Sequence, residues 1–207
     1  MKFDVKKYPI INMLYKLSHK IKDKLPFVWN LIELVNESFF LLRYGRRLQD
    51  IPCCLEKYQG EYQIIEASLD EILPMVTFFK EQPQDSFQYF QPHGFDEKSL
   101  KKLINRKSHI MILAKKENQI VGYMFLRCFF NGKCFRGKVV DYRWRGKGIA
   151  VLMGELSTDI ASALKLRMFG TISKNNASSL HSSQASNKIR ILEELPDDYL
   201  YIEYLPK

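Results

Sequence analysis

The chain has 207 residues, of which 46% are hydrophobic and 27% are charged, and its formal net charge is +9. This length suits one domain with an appendage, and this composition excludes a chain that is disordered throughout. The positive charge would suit an anionic partner, but no run of basic residues is longer than a pair, so we expect nucleic acid not to be that partner.

The first 58 residues differ from the rest, since they hold 11 Lys and Arg against 6 Asp and Glu. Apolar residues recur at helical spacing from Ile10 to Lys24 and from Phe27 to Arg47, which predicts two amphipathic helices. We therefore divide the chain into a helical extension, residues 1–58, and a main domain, residues 59–207. Neither a signal-peptide pattern nor an apolar run of membrane-spanning length occurs, so we expect no transmembrane helix.

The apolar faces of the two predicted helices allow two interpretations. In the first, they pack on the main domain or on a second copy of the chain in a homodimer. In the second, residues 1–47 make peripheral contact with an anionic membrane surface, because basic residues lie among and after the apolar positions. The predicted apolar face of the second helix consists of Trp29, Ile32, Val35, Phe39 and Leu42.

Beyond residue 60, the pattern predicts the order β-α-α-β-β-β-α-β-α-β-β. This order is typical of an α/β fold with a mixed, mostly antiparallel central sheet flanked by helices. The predicted strands cover residues 62–67, 109–115, 119–130, 133–141, 168–173, 189–192 and 199–205. The predicted helices cover residues 69–80, 96–105, 146–164 and 177–185, with Asp96 as the cap of the second.

The pair Asn131-Gly132 predicts a two-residue hairpin turn. On that register Cys128 lies opposite Phe135, so Cys128 and Cys134 would point to opposite faces of the sheet and could not form a disulfide. Four free thiols would suit a reducing, cytoplasmic compartment.

The stretch from Val139 to Ala150 carries the strongest chemical signal. A β-branched strand runs into a turn with Gly146 and Gly148, and a long helix follows. Glycines let the backbone approach a ligand closely, and the start of a helix presents free N–H groups to an anion. With Arg145 and Lys147 beside it, this turn predicts a diphosphate pocket; the alternative is a simple reversal of the chain.

The turn Arg145-Gly146-Lys147-Gly148-Ile149-Ala150 resembles the R/Q-x-x-G-x-G/A motif of the GNAT acetyltransferases. Glu117 to Tyr123 resembles the hairpin of that family, and Asn175-Asn176-Ala177-Ser178 resembles the N-x-x-S that opens its last helix. The resemblance covers residues 61–207 and implies a GNAT-type fold, acetyl-CoA as co-substrate, no metal, and acyl transfer to a primary amine.

The resemblance also implies which residues hold acetyl-CoA. Backbone groups of Val139, Val140 and Asp141 would contact the pantetheine arm and the thioester. The pyrophosphate would bind to Arg145 and to the backbone N–H groups of the five residues that follow it, Gly146, Lys147, Gly148, Ile149 and Ala150. Asn175 or Asn176 would steady the pantetheine.

The acid and base of the reaction are less well defined. The family often carries a proton-donating Tyr in its last helix, but Ser179-Leu180-His181-Ser182-Ser183 stands in that region. Asp141 and His93 are the candidate bases, since an amine attacks only when unprotonated. The structural alternatives are a turn ligand for Asp141 and an ordinary loop residue for His93.

The acceptor is expected to meet the loop from Gln82 to Gly94. Its candidate substrate-binding residues are Phe87, Tyr89, Phe90 and His93, because aromatic faces stack on sugar rings; ordinary packing with Phe95 is the alternative. We predict an amino sugar carried on a nucleotide or lipid diphosphate, handled at the inner face of the membrane. The alternatives are another small amine, a protein or peptide amine, and a non-catalytic domain that binds CoA.

Overall fold

The computed structural model describes residues 26–207, and the helix predicted from Ile10 to Lys24 lies outside the described residues. The α-helices of the described part are α1 Pro26–Tyr44, α2 Ile51–Glu56, α3 Ile72–Glu81, α4 Glu97–Ile104, α5 Ile149–Ala163 and α6 Ala177–Ser186. The strands are β1 Gln63–Glu66, β2 His109–Lys116, β3 Gln119–Cys128, β4 Lys133–Val140, β5 Arg167–Ser173, β6 Lys188–Leu195 and β7 Tyr199–Leu205.

The seven strands form one sheet in the order β1-β2-β3-β4-β5-β7-β6. Neighbouring strands are antiparallel except β4 and β5, which are parallel because α5 carries the chain back between them. The structure therefore confirms the predicted mixed, mostly antiparallel sheet flanked by helices. It also confirms Asp96 as the cap of α4, since its carboxylate accepts a hydrogen bond from Ser99 N at 3.0 Å.

The β3–β4 hairpin differs from the predicted register. Phe129 N donates to Lys133 O at 2.8 Å, so three residues, 130–132, make the turn instead of two. Gly132 supplies the left-handed conformation that such a turn needs, with φ at +85°. As a result Cys128 lies directly opposite Cys134 on the same face, and the predicted opposite faces are wrong. Both thiols are buried and free.

Both faces of the central strands β2 and β3 are buried, and alternate residues of these strands belong to two separate clusters. On β2, Ile110 and Ile112 belong to the cluster under α5, whereas Met111 and Leu113 belong to the cluster under α3 and α4. The first cluster also contains apolar side chains from the end of α1 and from α2, namely Phe40, Tyr44, Ile51 and Leu55. Residues 40–55 therefore share their core with the sheet.

The N-terminal turns of α1 contact the main domain through their polar face. Asn36 Nδ2 donates to Cys128 O at 3.0 Å, Glu33 forms ion pairs with Arg106 and Arg127, and Glu37 accepts from Lys107 N at 2.7 Å. These contacts satisfy backbone groups and cations at the start of β2 and the end of β3 that an apolar face would leave unpaired.

The predicted apolar face of α1 consequently points away from the domain, and the expectation that it packs on the domain is wrong for most of the helix. Of that face, Ile32 is 46% exposed, Phe39 is 53% exposed and Leu42 is 84% exposed. Among the described residues, no helix is both long enough and apolar enough to cross a membrane.

Candidate functional site

Strands β4 and β5 run side by side only at their first residues. Their last backbone pair joins Phe135 to Phe169, and beyond it the strands separate. The gap opens into a cavity of about 470 Å³, lined by residues 136–140 of β4 and 171–173 of β5 together with parts of α6 and of the loop 85–90. Strand edges that separate inside a sheet leave backbone N–H and C=O groups free to bind an extended ligand.

The turn after β4 closes one end of this gap. Gly146 and Gly148 adopt left-handed conformations, with φ at +78° and +80°, and Gly148 is the N-cap of α5. A Cβ atom at either glycine would meet no heavy atom within 4 Å, so open space lies in front of the turn. Within residues 26–207 the backbone N–H groups from Gly146 to Ala150 have no acceptor. This geometry suits a diphosphate, as the sequence predicted.

The turn also carries two cationic side chains, Arg145 and Lys147. Arg145 donates to Ser86 Oγ at 2.6 Å, which ties the turn to the loop across the cavity. The Lys147 ammonium lies 4.1 Å from the ring centroid of Trp144, and the residue is exposed. Both cations therefore stay available to an anion that enters the turn.

The start of α6 distinguishes the two candidate asparagines, both of which line the cavity. Asn176 is the N-cap, since its Oδ1 accepts from Ser179 N at 3.0 Å. The Asn175 side chain is exposed and makes no hydrogen bond within the described part of the chain. Asn175 is therefore the one whose amide is free to bind a ligand.

The Asp141 side chain is fully buried, and its carboxylate stabilises the turn after β4. Its carboxylate accepts from Arg143 Nε at 2.9 Å, from Arg143 N at 2.8 Å and from Gln82 Nε2 at 3.2 Å. Burial alone would raise the pKa of Asp141, but the hydrogen bonds from Arg143 and Gln82 outweigh it and hold that pKa below its usual range. Asp141 also does not line the cavity, so the geometry favours its structural alternative over a role as base.

His93 lies in the aromatic cluster beside β3 and is half-buried. Its Nδ1 lies 2.9 Å from Gly94 O, which can only accept, so Nδ1 carries the proton and Nε2 accepts from the Tyr123 hydroxyl at 2.8 Å. Burial lowers the pKa of His93, which keeps the ring neutral at pH 7. The free nitrogen thus points at Tyr123, and neither side chain lines the cavity.

The aromatic residues of the loop divide into two groups. Tyr89 and Phe90 line the cavity, whereas Phe87 packs against Phe95 with ring centroids 5.1 Å apart. Gly137 of β4 allows this arrangement, because a Cβ there would lie 2.7 Å from Phe125 Cζ and 3.1 Å from Phe90 Cε2. Of the four predicted substrate-binding residues, Tyr89 and Phe90 therefore line the cavity, and Phe87 and His93 do not.

Two cations of β4, Arg136 and Lys138, were missed in the sequence analysis. They lie on the face of β4 that is turned towards α5 and α6, and both line the cavity. The only sequence signal was two charged residues at alternate positions of a strand whose neighbours predict burial. In residues 26–207, no cluster of three His, Cys, Asp or Glu side chains is arranged to hold a metal ion.

Solved structures identify the fold. The GNAT domain of S. lividans PAT matches 70% of this chain over 90% of its own, with a TM-score of 0.60 and 12% identity. The PaiA N-acetyltransferase of Thermoplasma acidophilum, solved with coenzyme A, matches 70% of this chain over 99% of its own, with a TM-score of 0.59 and 11% identity. For the ribosomal-protein-S5-alanine acetyltransferase of Vibrio fischeri, the match covers 72% and 95%, with a TM-score of 0.58 and 14% identity.

The chain therefore has the GNAT fold, as the turn motif and the strand order predicted. The comparison of sequences adds nothing to this, since no family model matches the chain and no curated protein does.

Proposed function

We propose that the protein is an N-acyltransferase that moves the acetyl group of acetyl-CoA to a primary amine. The observation that carries this proposal is the gap between β4 and β5, which opens beside a helix start with free N–H groups. A pantetheine arm is the kind of extended, amide-bearing chain that such a gap accommodates. A fold neighbour solved with coenzyme A supports the same interpretation.

In this proposal the residues of the chain act mainly by positioning. The turn from Gly146 to Ala150 would hold the pyrophosphate, Asn175 would bind an amide of the arm, and backbone groups of Val139 and Val140 would face the thioester. An amine entering past Tyr89 and Phe90 would then reach the thioester carbon through the gap. Fixing both reactants and stabilising the oxyanion with backbone donors are the main sources of rate in such a reaction.

Thermal unfolding with and without acetyl-CoA tests the binding step. A ligand at 100 times its dissociation constant stabilises a protein by about 2.7 kcal/mol. We expect a dose-dependent rise in Tm with acetyl-CoA and with CoA, and none with pantetheine, which lacks the diphosphate. Equal shifts with pantetheine and acetyl-CoA would contradict the role of the turn. Binding without release of CoA in the presence of any amine would instead favour the non-catalytic alternative.

We further propose that the acceptor is an amino sugar carried on a nucleotide or lipid diphosphate. Tyr89 and Phe90 provide aromatic surface at the cavity, where a sugar ring can stack. Asp85 is the one acid among the described residues that line the cavity, whereas three cations, Arg136, Lys138 and Arg145, line it. This excess of positive charge suits an anionic acceptor better than a basic peptide.

The names of the fold neighbours do not select an acceptor, since one acts on ribosomal protein S5 and another on spermidine. The deciding assay measures CoA release with amino-sugar nucleotides, polyamines and N-terminal peptides. Turnover with peptides alone would overturn the sugar proposal. If stacking on Tyr89 contributes about 1.4 kcal/mol, the Tyr89→Ala variant should show a KM for the sugar nucleotide that is about tenfold higher.

The base of the reaction remains to be tested with Asp141→Asn and His93→Asn. A side chain that accepts the proton of the amine contributes about 10²- to 10⁴-fold to turnover. Because both residues lie away from the cavity, we expect turnover of folded variants to stay within about tenfold of the wild type, with water as the proton acceptor. A loss of 10²-fold or more in either variant would restore that residue as the base.

We also propose that α1 contacts an anionic membrane surface from the inside of the cell. Its exposed apolar residues form one continuous face, the exposed Arg43 and Arg46 follow it, and residues 1–25 carry seven lysines against two aspartates. An apolar face with flanking cations is the pattern of helices that lie in the headgroup region.

Sedimentation with vesicles of phosphatidylserine and phosphatidylcholine tests this contact. We expect the protein to pellet at low salt and to be released at high salt. Phe27→Glu combined with Leu42→Glu should abolish pelleting. Leu73→Glu, which changes an exposed leucine of α3 on another part of the surface, should not. Concentration-dependent dimers in gel filtration without pelleting would indicate a second copy of the chain instead.

A further inference from the structure

Arg136 and Lys138 are two neighbouring cations that meet only neutral partners. Arg136 Nη1 donates to Gly154 O at 3.1 Å, to Ser157 Oγ at 2.9 Å and to Asn187 Oδ1 at 2.9 Å. Lys138 Nζ donates to Ala150 O at 2.5 Å. Within residues 26–207, neither side chain forms an ion pair.

Such an arrangement is unfavourable in a protein that never receives an anion. A buried charge costs free energy unless an opposite charge accompanies it, and two like charges on alternate residues of one strand add repulsion. Burial first, and the Arg136 charge second, lower the pKa of Lys138 to about 7. Both cations line the cavity, so an anion bound there would complete the site.

The surroundings of Lys138 narrow the choice of anion. Helix α5 presents the carbonyl of Ala150 and the backbone of Gly154, and α6 presents the hydroxyls of Ser182 and Ser183 to the same cavity. Arg136 is the charged group beside it, and these helices add no carboxylate to the cavity wall. Acyl transfer from a CoA thioester produces one anion in every turnover, the CoA thiolate. Lys138 precedes Val139, whose backbone would face the thioester in the proposed binding mode.

We propose that Lys138, with the charge of Arg136 beside it, stabilises the leaving CoA thiolate and gives it a proton. This inference rests on the proposed acyl transfer. As the amine nitrogen bonds to the carbonyl carbon, the C–S bond breaks and its electron pair goes to sulfur. One ammonium proton of Lys138 then moves to sulfur, giving CoA–SH and a neutral lysine. Water takes the proton lost by the amine, and solvent returns a proton to Lys138 after CoA leaves.

The direction of this proton transfer is favourable. A free thiol has a pKa of about 8.5, and the lowering of about one unit that is expected for bound CoA would bring it to about 7.5. The thiol would then still hold a proton about threefold more tightly than an ammonium of pKa about 7. Lys138 also fills a chemical role that the hydroxyl side chains of α6 cannot, since an alcohol is a far weaker acid than either group.

The ionisation of CoA bound to the protein tests the proposal without any turnover. We expect the thiol of bound CoA, followed by the ultraviolet absorbance of the thiolate, to have a pKa at least one unit below that of free CoA. In Lys138→Met, which keeps the length of the stem, this lowering should largely disappear. An unchanged thiol pKa in the wild type would overturn the proposal, whether or not any variant folds.

Activity separates a proton donor from a fixed charge. We expect Lys138→Met to lower kcat by about 10²-fold with KM for acetyl-CoA within about threefold, and to remove the fall of kcat that follows deprotonation of Lys138 at alkaline pH. Lys138→Arg should keep the low thiol pKa but not the wild-type kcat, because arginine does not release its proton. Wild-type kcat in folded Lys138→Met would overturn the proposal.

A panel of acyl donors excludes the competing explanation. If the two cations instead recognised a carboxylate on the acyl group, the wild type would use succinyl-CoA faster than butyryl-CoA, and Lys138→Met would lose that preference; this result would overturn the proposal. Failure of the wild type to bind any CoA ester would overturn the proposed function itself, whereas CoA binding with an unshifted thiol pKa would overturn only the role of Lys138.

Discussion

Replacing Gly148 by Glu should remove most of the affinity for acetyl-CoA while the protein stays folded. Gly148 has φ at +80°, a left-handed conformation that costs a residue with a side chain about 1–2 kcal/mol. A Cβ there meets no heavy atom within 4 Å, so no clash adds to this cost. The expected loss of unfolding free energy, about 1–2 kcal/mol, is smaller than the 5–15 kcal/mol that is typical of a folded domain.

The effect on binding has a separate cause. The new carboxylate would lie in the open space before the free N–H groups of the turn and would repel the pyrophosphate. We expect acetyl-CoA to bind at least tenfold more weakly, which is about 1.4 kcal/mol. Isothermal titration calorimetry measures this directly, with circular dichroism to confirm the fold.

Two variants control for strain and for charge. Gly148→Ala introduces the same backbone strain without the carboxylate, so it should lose stability but keep most of the affinity. Gly60→Glu adds the same charge at an exposed glycine with open space around it, and should change neither quantity. Wild-type affinity in a folded Gly148→Glu variant would refute the assignment of the turn as the diphosphate site.

Three further predictions follow from the packing. Asp141→Asn should cost about 1–3 kcal/mol in urea unfolding at pH 7, because Arg143 loses its buried partner. Since the folded pKa of Asp141 is lowered, this stabilisation is present above about pH 4 and is lost as pH falls through the folded pKa; a difference that persists at lower pH would contradict the reasoning. Gly137→Ala should cost about 1–3 kcal/mol and raise KM for the acceptor, because its Cβ would displace Phe125; an unchanged Tm would contradict it. Glu37→Ala should cost about 1–3 kcal/mol by leaving backbone N–H groups unpaired, whereas an equal loss in Ser38→Ala, whose side chain bonds only within α1, would point to helix propensity instead.

Local sequence was sufficient for most of the elements of the main domain. The turns at residues 117–118 and 197–198 contain Glu, Asn and Asp in left-handed conformations, and turn-forming residues mark both places in the sequence. The Gly-bearing turn before α5 was predicted in the right place, because its glycines, the helix start and its cations are the same few residues. One local prediction was wrong by a residue, at the β3–β4 hairpin, where Asn-Gly fits both a two-residue and a three-residue turn.

The sequence did not determine how distant elements meet. Helical periodicity identified an apolar face on α1 but could not show that Glu33, Asn36 and Glu37 would bind groups at the ends of β2 and β3. The sequence therefore left open whether the apolar face packs on the domain. In the same way, the sequence left two interpretations open for Asp141 and for His93, and only the fold supplied Arg143, Gln82 and Tyr123 as their partners.

The sequence by itself determined most of the elements and the position of the glycine-bearing turn that we propose as the diphosphate site, because those depend on residues within one or two turns of the chain. Only the tertiary structure decided that β4 and β5 separate after Phe135 and Phe169 and that Arg136 and Lys138 face the resulting cavity without a carboxylate. The burial of these two cations and the lack of a carboxylate beside them depend on side chains of α5 and α6. These helices follow β4 in the chain, so the pattern of residues along the strand contains no information about them.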